Sequence, residues 1–196
     1  MAFRVSSPLV VSLAFFILGA VLGVIAVKAL DPMEKAELLS YVEVFLTSLN
    51  NPGIDSLSVL KIALLQNLKT ALLVWALGLT IIGIPVACAV VFVRGFALAF
   101  SASFLVSEGP QGPLLVLFGL VPHNLLAVPA LIFMVSYAVS FSFALIRERA
   151  YLSSSQLWNQ VFKYTAYWAR LCGLFLLAAV LESHLSPFLI GLLSRH

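Results

Sequence analysis

A chain of 196 residues with 62% hydrophobic and only 10% charged residues cannot clothe a soluble surface, since soluble domains carry about 45–50% apolar and roughly 25% charged residues. The formal net charge of +3 is small and its lysines and arginines are scattered, with no aromatic-interleaved basic run to bind nucleic acid. What remains is an all-α polytopic transmembrane helical bundle, a single integral membrane domain over residues 1–196. Cys88 and Cys172 both lie in apolar runs, where they read as buried packing thiols rather than a disulfide or zinc framework.

The first hydrophobic run, residues 8–30, is long enough to cross a bilayer, which takes about 20 apolar residues. Signal-peptide cores are shorter, at roughly 7–15 residues, and end in a small-residue cleavage site. This run ends instead in Lys28 and Asp31, so it reads as a retained span. Gly19 and Gly23 form a GxxxG face that lets a neighbouring helix approach closely.

Residues 31–61 form the only long polar stretch. Met33, Ala36, Leu39, Val42, Val44, Phe45 and Leu49 recur at roughly helical spacing before Asn50, Asn51, Pro52 and Gly53 break the pattern. This predicts an extracytoplasmic amphipathic helix on the membrane surface, with Asp31, Glu34, Glu37, Glu43 and Asp55 set against Lys35 and Lys61.

Residues 62–93 are too long for one span, and Gly83-Ile84-Pro85 offers a break, giving spans at about 62–82 and 86–106. Lys69 then falls in the first turns of its span, from which it could snorkel to the surface. After a loop at 107–113, residues 114–146 hold GLVPHNLLAVPALIF, a stretch whose two prolines predict a broken helix at 119–130. Ser136, Ser140 and Ser142, beside small residues, read as a packing face.

A polar connection at 147–163 follows, with Trp158, Tyr164, Tyr167 and Trp168 suited to an interface belt. The last run, about 164–180, continues into an apolar tail at 188–193 that could form a re-entrant C-terminal segment. About five spans result. Arg147, Arg149 and Lys163 mark the 147–163 connection as cytoplasmic, which places residues 31–61 and 107–113 outside.

Hydrocarbon leaves every backbone polar group to be satisfied within the protein. Pro122 and Pro129 each remove an N–H, and His123 and Asn124 can supply the missing partners. Arg94 and Glu182 are the other costly groups at membrane depth. Together Arg94, Pro122, His123, Asn124, Pro129 and Glu182 form a candidate internal polar core. Its preferred reading is repair of a broken helix; the alternative is a ligand site in a small transporter or permease subunit. No HExxH, GxSxG or phosphate loop is present, so the expectation is a non-enzyme without cofactor or metal.

Four stretches in this order, FFILGAVLGVIAV, LLQNLKTALLVWALG, GLVPHNLLAVPALIF and AAVLESHLSPFLIGLL, resemble the stage II sporulation protein M family of bacterial integral membrane proteins. Many members of the broader family carry a glycine after the Pro-His pair and a glutamate three residues later. Asn124 and Ala127 stand here instead, leaving Glu182 as the main membrane acid. The resemblance implies a multi-pass protein of the mother-cell membrane facing the forespore, acting in engulfment. It also implies a scaffold role: anchoring a complex with stage II sporulation proteins D and P, hydrolases that carry the peptidoglycan-remodelling chemistry. Small-residue faces leave homo-oligomerisation open as well.

Overall fold

The computed structural model describes residues 6–49, 56–80, 82–107, 112–148 and 154–193; within these helices the side chains of residues 6, 45–49, 56–60, 63, 118, 123, 148, 154 and 178–193, among them His123 and Glu182, lie outside the described set. The expected break at 50–53 and the tip of the 107–113 loop also lie outside it. Among the described residues every regular element is helical: α1 (Ser6–Lys28), α2 (Pro32–Leu49), α3 (Ser56–Gly78), α4 (Gly83–Ser107), α5 (Gly112–Leu115), a π-helical turn (Val116–Leu120), α6 (Val121–Glu148) and α7 (Ser154–Leu193).

Local chemistry sets several of these boundaries. The backbone N–H of Asp31 donates to Glu34 Oε2 at 3.1 Å, and Lys35 N–H donates to the Asp31 carbonyl at 3.0 Å. That is one arm of a capping box, and Pro32 takes the first helical position, where its missing N–H costs nothing. α3 closes against α4 through bonds from Leu79 N–H to the Ala76 carbonyl and from Thr80 N–H to the Leu77 carbonyl. A side chain at Gly83 would collide with the Leu77 carbonyl, so the turn needs glycine there. The break therefore falls at 79–82, ahead of the expected Gly83-Ile84-Pro85. Pro85 sits instead in the first turn of α4, where the helix tolerates it.

Helix directions follow from side-chain contacts. Gly19 lies on the backbone at Phe92 and Phe96, and Gly23 on that at Phe96 and Phe100, so α1 and α4 run parallel. Tyr164 and Trp168 of α7 reach the carbonyls of Trp75 and Ala71, so α3 and α7 run antiparallel. Ring contacts pair Phe141 with Tyr164 and Tyr137 with Tyr167, making α6 antiparallel to α7. The main core lies where α3, α6 and α7 meet, around Val74, Leu131, Met134, Val135, Phe141, Tyr164 and Phe175, with Ala87, Cys88 and Val91 of α4 joined to it. Among the described residues, α2 makes no extensive contact with this bundle.

Among the described residues three helices are long and apolar enough to cross a membrane: Ser7–Lys28, Gly83–Ser107 and Asn124–Arg147. The last is central, with 67% of its window buried against 22% and 28% for the other two. Against the about five spans expected, three helices among the described residues meet this measure of length and composition. α3 carries Lys61, Gln66, Asn67 and Lys69, and the described part of α7 carries Asn159, Gln160, Lys163 and Arg170.

Two expectations are corrected. No broken helix occurs at 119–130: a widened turn at Val116–Leu120 leads directly into α6, and Pro129 lies inside that helix. The re-entrant segment is replaced by continuous helix, because α7 runs unbroken for 40 residues through Pro187. At about 1.5 Å per residue such a helix is roughly 60 Å long, about twice a hydrocarbon core of about 30 Å.

Candidate functional site: a polar centre at the start of α6

Pro122 has no N–H to donate, and in a regular α-helix its ring would crowd the carbonyl four residues back, at Phe118. The chain relieves both by widening the preceding turn. Val121 N–H bonds to the Val116 carbonyl, the five-residue spacing of a π-helix. The helix thus absorbs its proline without unwinding.

Asn124 works on both sides of this junction. Its Nδ2 donates to the Leu120 carbonyl at 2.7 Å, the last residue of the π-turn. Its Oδ1 accepts from Arg94 Nη2 at 3.2 Å, across to α4. One amide therefore fixes the widened turn and holds a guanidinium that lies at the middle of the α4 span. A hydrogen bond to a charged group contributes about 1.5–3 kcal/mol, and an arginine left alone there would cost more.

Of the six residues proposed as a polar core, the structure brings Arg94 and Asn124 into contact, with Pro122 half-buried two residues away. Pro129 is turned outward and exposed, apart from this centre. The backbones of His123 and Glu182 lie in α6 and α7; their side chains lie outside the described residues.

The glycines occupy a second contact. A Cβ at Gly19 or Gly23 would strike the carbonyl of Phe92 or Phe96, while one at Gly95 would strike the carbonyl of Phe16. The crossing of α1 and α4 is therefore backbone on backbone, with Gly95 as a third member that the GxxxG pattern does not contain.

A third constellation holds the C-terminal part of α3. Trp168 Nε1 donates to the Ala71 carbonyl at 3.1 Å, and Tyr164 OH to the Trp75 carbonyl at 3.0 Å. Ser142 Oγ donates to the carbonyls of Gly78 and Thr80 at 2.8 and 3.1 Å, and Trp75 Nε1 donates to Thr165 Oγ1 at 3.3 Å. Helix ends leave carbonyls without intrahelical partners, and here two neighbouring helices supply donors. Ser136 and Ser140 differ from Ser142: each bonds only to the carbonyl four residues back in its own helix.

This arrangement corrects the interface belt. Trp158 is exposed, but Tyr164 is only 1% exposed and stacks on Phe141 at 4.2 Å, while Trp168 is part-buried against α3. Sequence gave no signal for these bonds, because their acceptors are main-chain carbonyls that every residue possesses. The packing of Trp75 against Trp168, with ring centroids 6.1 Å apart, is visible only once the register of α3 and α7 is known.

Among the described residues no group of His, Cys, Asp and Glu is arranged to hold a metal. The centre's described chemistry is hydrogen bonding between a cation, an amide and main-chain carbonyls. The family description Stage II sporulation protein M matches residues 12–187, nearly the whole chain. The chain belongs to the stage II sporulation protein M family. The matched segment contains the α1–α4 crossing, the Arg94–Asn124 bond and the α3 clamp alike. No curated protein and no solved structure matches the chain.

Proposed function

We propose that this sporulation-family membrane protein is a non-enzymatic scaffold. It anchors and localises peptidoglycan hydrolases, stage II sporulation proteins D and P, in the mother-cell membrane facing the forespore during engulfment. The observation that carries this reading is the contrast between the bundle and α2. Within the bundle, Arg94 is held by Asn124, and Ser142, Tyr164 and Trp168 are spent on main-chain carbonyls. α2 instead presents Met33, Tyr41, Val44, Glu34, Glu37 and Glu43 uncovered by the bundle.

Five crossings by α1, α3, α4, α6 and α7 suit this role. The alternation of their directions supports that count, with α1, α4 and α7 running one way and α3 and α6 the other. It would put α2 outside, on the side of the cell wall.

The experiment is co-purification from detergent with tagged hydrolase partners, using the full chain and a version lacking residues 32–49. Retention of both partners by the full chain, with loss on deletion, supports recruitment through α2. Retention by both versions moves the contact into the membrane helices. A folded chain that retains neither partner sinks the scaffold and favours a small transporter using the start of α6.

A further inference from the structure

Arg147 of α6 and Lys163 and Arg170 of α7 are exposed, and among the described residues none of them makes an ion pair or a side-chain hydrogen bond. The helix contacts place all three on one side of the α6–α7 pair. α6 meets α7 at Tyr137 and Tyr167, whose ring centroids lie 4.2 Å apart. Successive residues of an α-helix turn by about 100°. Counted from Tyr137, Ser142, which bonds to α3, lies about 140° round α6 in one sense, and Arg147 about 80° in the other. Counted from Tyr167, Trp168, which bonds to α3, lies about 100° round α7 in one sense, and Lys163 and Arg170 about 40° and about 60° in the other. α3 thus fills one groove of the pair, and the three cations line the opposite one.

Their depths are graded. Arg147 is the last residue of the α6 span, Asn124–Arg147. The pairs Phe141–Tyr164 and Tyr137–Tyr167 set Lys163 about two turns inside that end, and Arg170 near the middle of the span. Helix side chains tilt toward the N-terminus of their own helix. On antiparallel helices Arg147 therefore reaches inward and Lys163 outward, so the two converge just inside the edge of the hydrocarbon. Arg170 tilts toward the same place from below. The wall deeper in the groove is apolar, with Phe133 and Leu174 exposed and turned about 40° and about 20° in the cations' sense.

Carboxylates are scarce in the packed helices. α1, α3 and α4 hold none, α6 holds only Glu148 at its last residue, and α7 only Glu182, nineteen residues beyond Lys163. The bias of lysine and arginine toward one face of a membrane accounts for cations at this end of the bundle. It does not account for their shared groove, nor for Arg170 at mid-depth, where an unpaired charge is costly.

We propose that this groove binds an anionic phospholipid. Its phosphate sits between Arg147 and Lys163, its ester carbonyls accept from the Arg170 guanidinium, and its acyl chains lie along Phe133 and Leu174. Charge complementarity selects this occupant. A partner helix would need carboxylates at two depths, whereas a phospholipid carries acceptors at both, and basic pockets between membrane helices bind anionic headgroups. The 147–163 connection is expected in the cytoplasm, where the facing leaflet is the anionic one. The inference goes beyond the scaffold reading and asks only that α6 cross the bilayer with α7 beside it.

The test counts lipids bound to the full chain, delipidated in detergent, by native mass spectrometry. Phosphatidylglycerol and phosphatidylcholine of the same acyl length are the probes. Phosphatidylglycerol should bind about tenfold more tightly. Arg147→Gln with Lys163→Gln should abolish that preference. Arg170→Gln should weaken the binding of both lipids, since both carry the ester carbonyls. Lys69→Gln, at an exposed cation of α3 outside the groove, should change neither. Arg147→Lys with Lys163→Arg keeps both charges and should keep the preference, which separates a lost site from a misfolded chain.

Equal binding of the two lipids overturns the proposal, as does a preference that survives in the double glutamine variant or falls equally with Lys69→Gln. Displacement of the lipid by inorganic phosphate alone would assign the site to a free anion. Displacement by a leucine-rich transmembrane peptide with a central glutamate would assign it to a protein helix. Either result sinks the lipid reading. No hydrolase enters this measurement, so its failure leaves the co-purification result standing, and the reverse also holds.

Discussion

Asn124 has two bonds to lose at once. Replacing it with leucine strips the Arg94 guanidinium of an acceptor and the Leu120 carbonyl of a donor. A double-mutant cycle on Arg94→Leu and Asn124→Leu, read by thermal unfolding in detergent, should give a coupling of about 1–3 kcal/mol. A coupling near zero would show that the contact does not contribute. Gly78 is the second test at this scale, because a Cβ there would run into the Tyr164 hydroxyl. Gly78→Ala should lower the melting temperature. Tyr164→Phe in the same chain should recover part of the loss, since the phenyl ring lacks the clashing oxygen. Melting that falls by the simple sum of the two changes argues against the clash. Arg94 and Asn124 were both legible as costly membrane residues, because hydrocarbon penalises their types wherever they sit. Their bond was not legible, since it depends on which turn of α4 faces which turn of α6. Lys69, expected in the first turns of a span from about 62, lies in the middle of α3, because polar Ser56 and Ser58 concealed the true start of its helix.

Among elements, the crossing of α1 and α4 is the most demanding contact. Gly19, Gly23 and Gly95 interlock around main-chain carbonyls, so added bulk must push two helices apart rather than shift a side chain. Gly19→Leu should therefore destabilise the protein by about 1–3 kcal/mol, as overpacking does. Val21→Leu, on the exposed side of α1, should leave the midpoint unchanged. Equal behaviour of the two variants in detergent melting would refute the crossing. Glycine spacing made one half of this contact readable in sequence. Gly95 stands alone in α4, so no spacing could announce it. The widened turn at Val116–Leu120 was read as a break for a related reason. Pro122 marks where regular α-helix must fail, but not whether the backbone answers by unwinding or by a π-turn.

At the scale of the whole molecule, the five packed helices alternate in direction, and three of them are long and apolar enough to cross a membrane within their described residues. In a chain whose Cys88 and Cys172 are replaced by alanine, single cysteines at Glu37 and Trp158, both exposed, should react with a membrane-impermeant maleimide from opposite sides. Glu37→Cys should label in intact cells, and Trp158→Cys only after permeabilisation. Labelling of both from one side would remove a crossing from the proposed count. The hydropathy pattern revealed the helical class and the outer spans, because those depend on composition alone. It undercounted nothing there, but could not show that the polar helices α3 and α7 flank the buried α6, which is a property of the assembled bundle. The parallel pairing of α1 with α4 also has a consequence in time. Gly19 leaves the ribosome about 76 residues ahead of Gly95, a delay on the order of ten seconds at bacterial and eukaryotic synthesis rates. Through that interval α1 stands in the lipid with its glycine groove unfilled, until α4 arrives to close it.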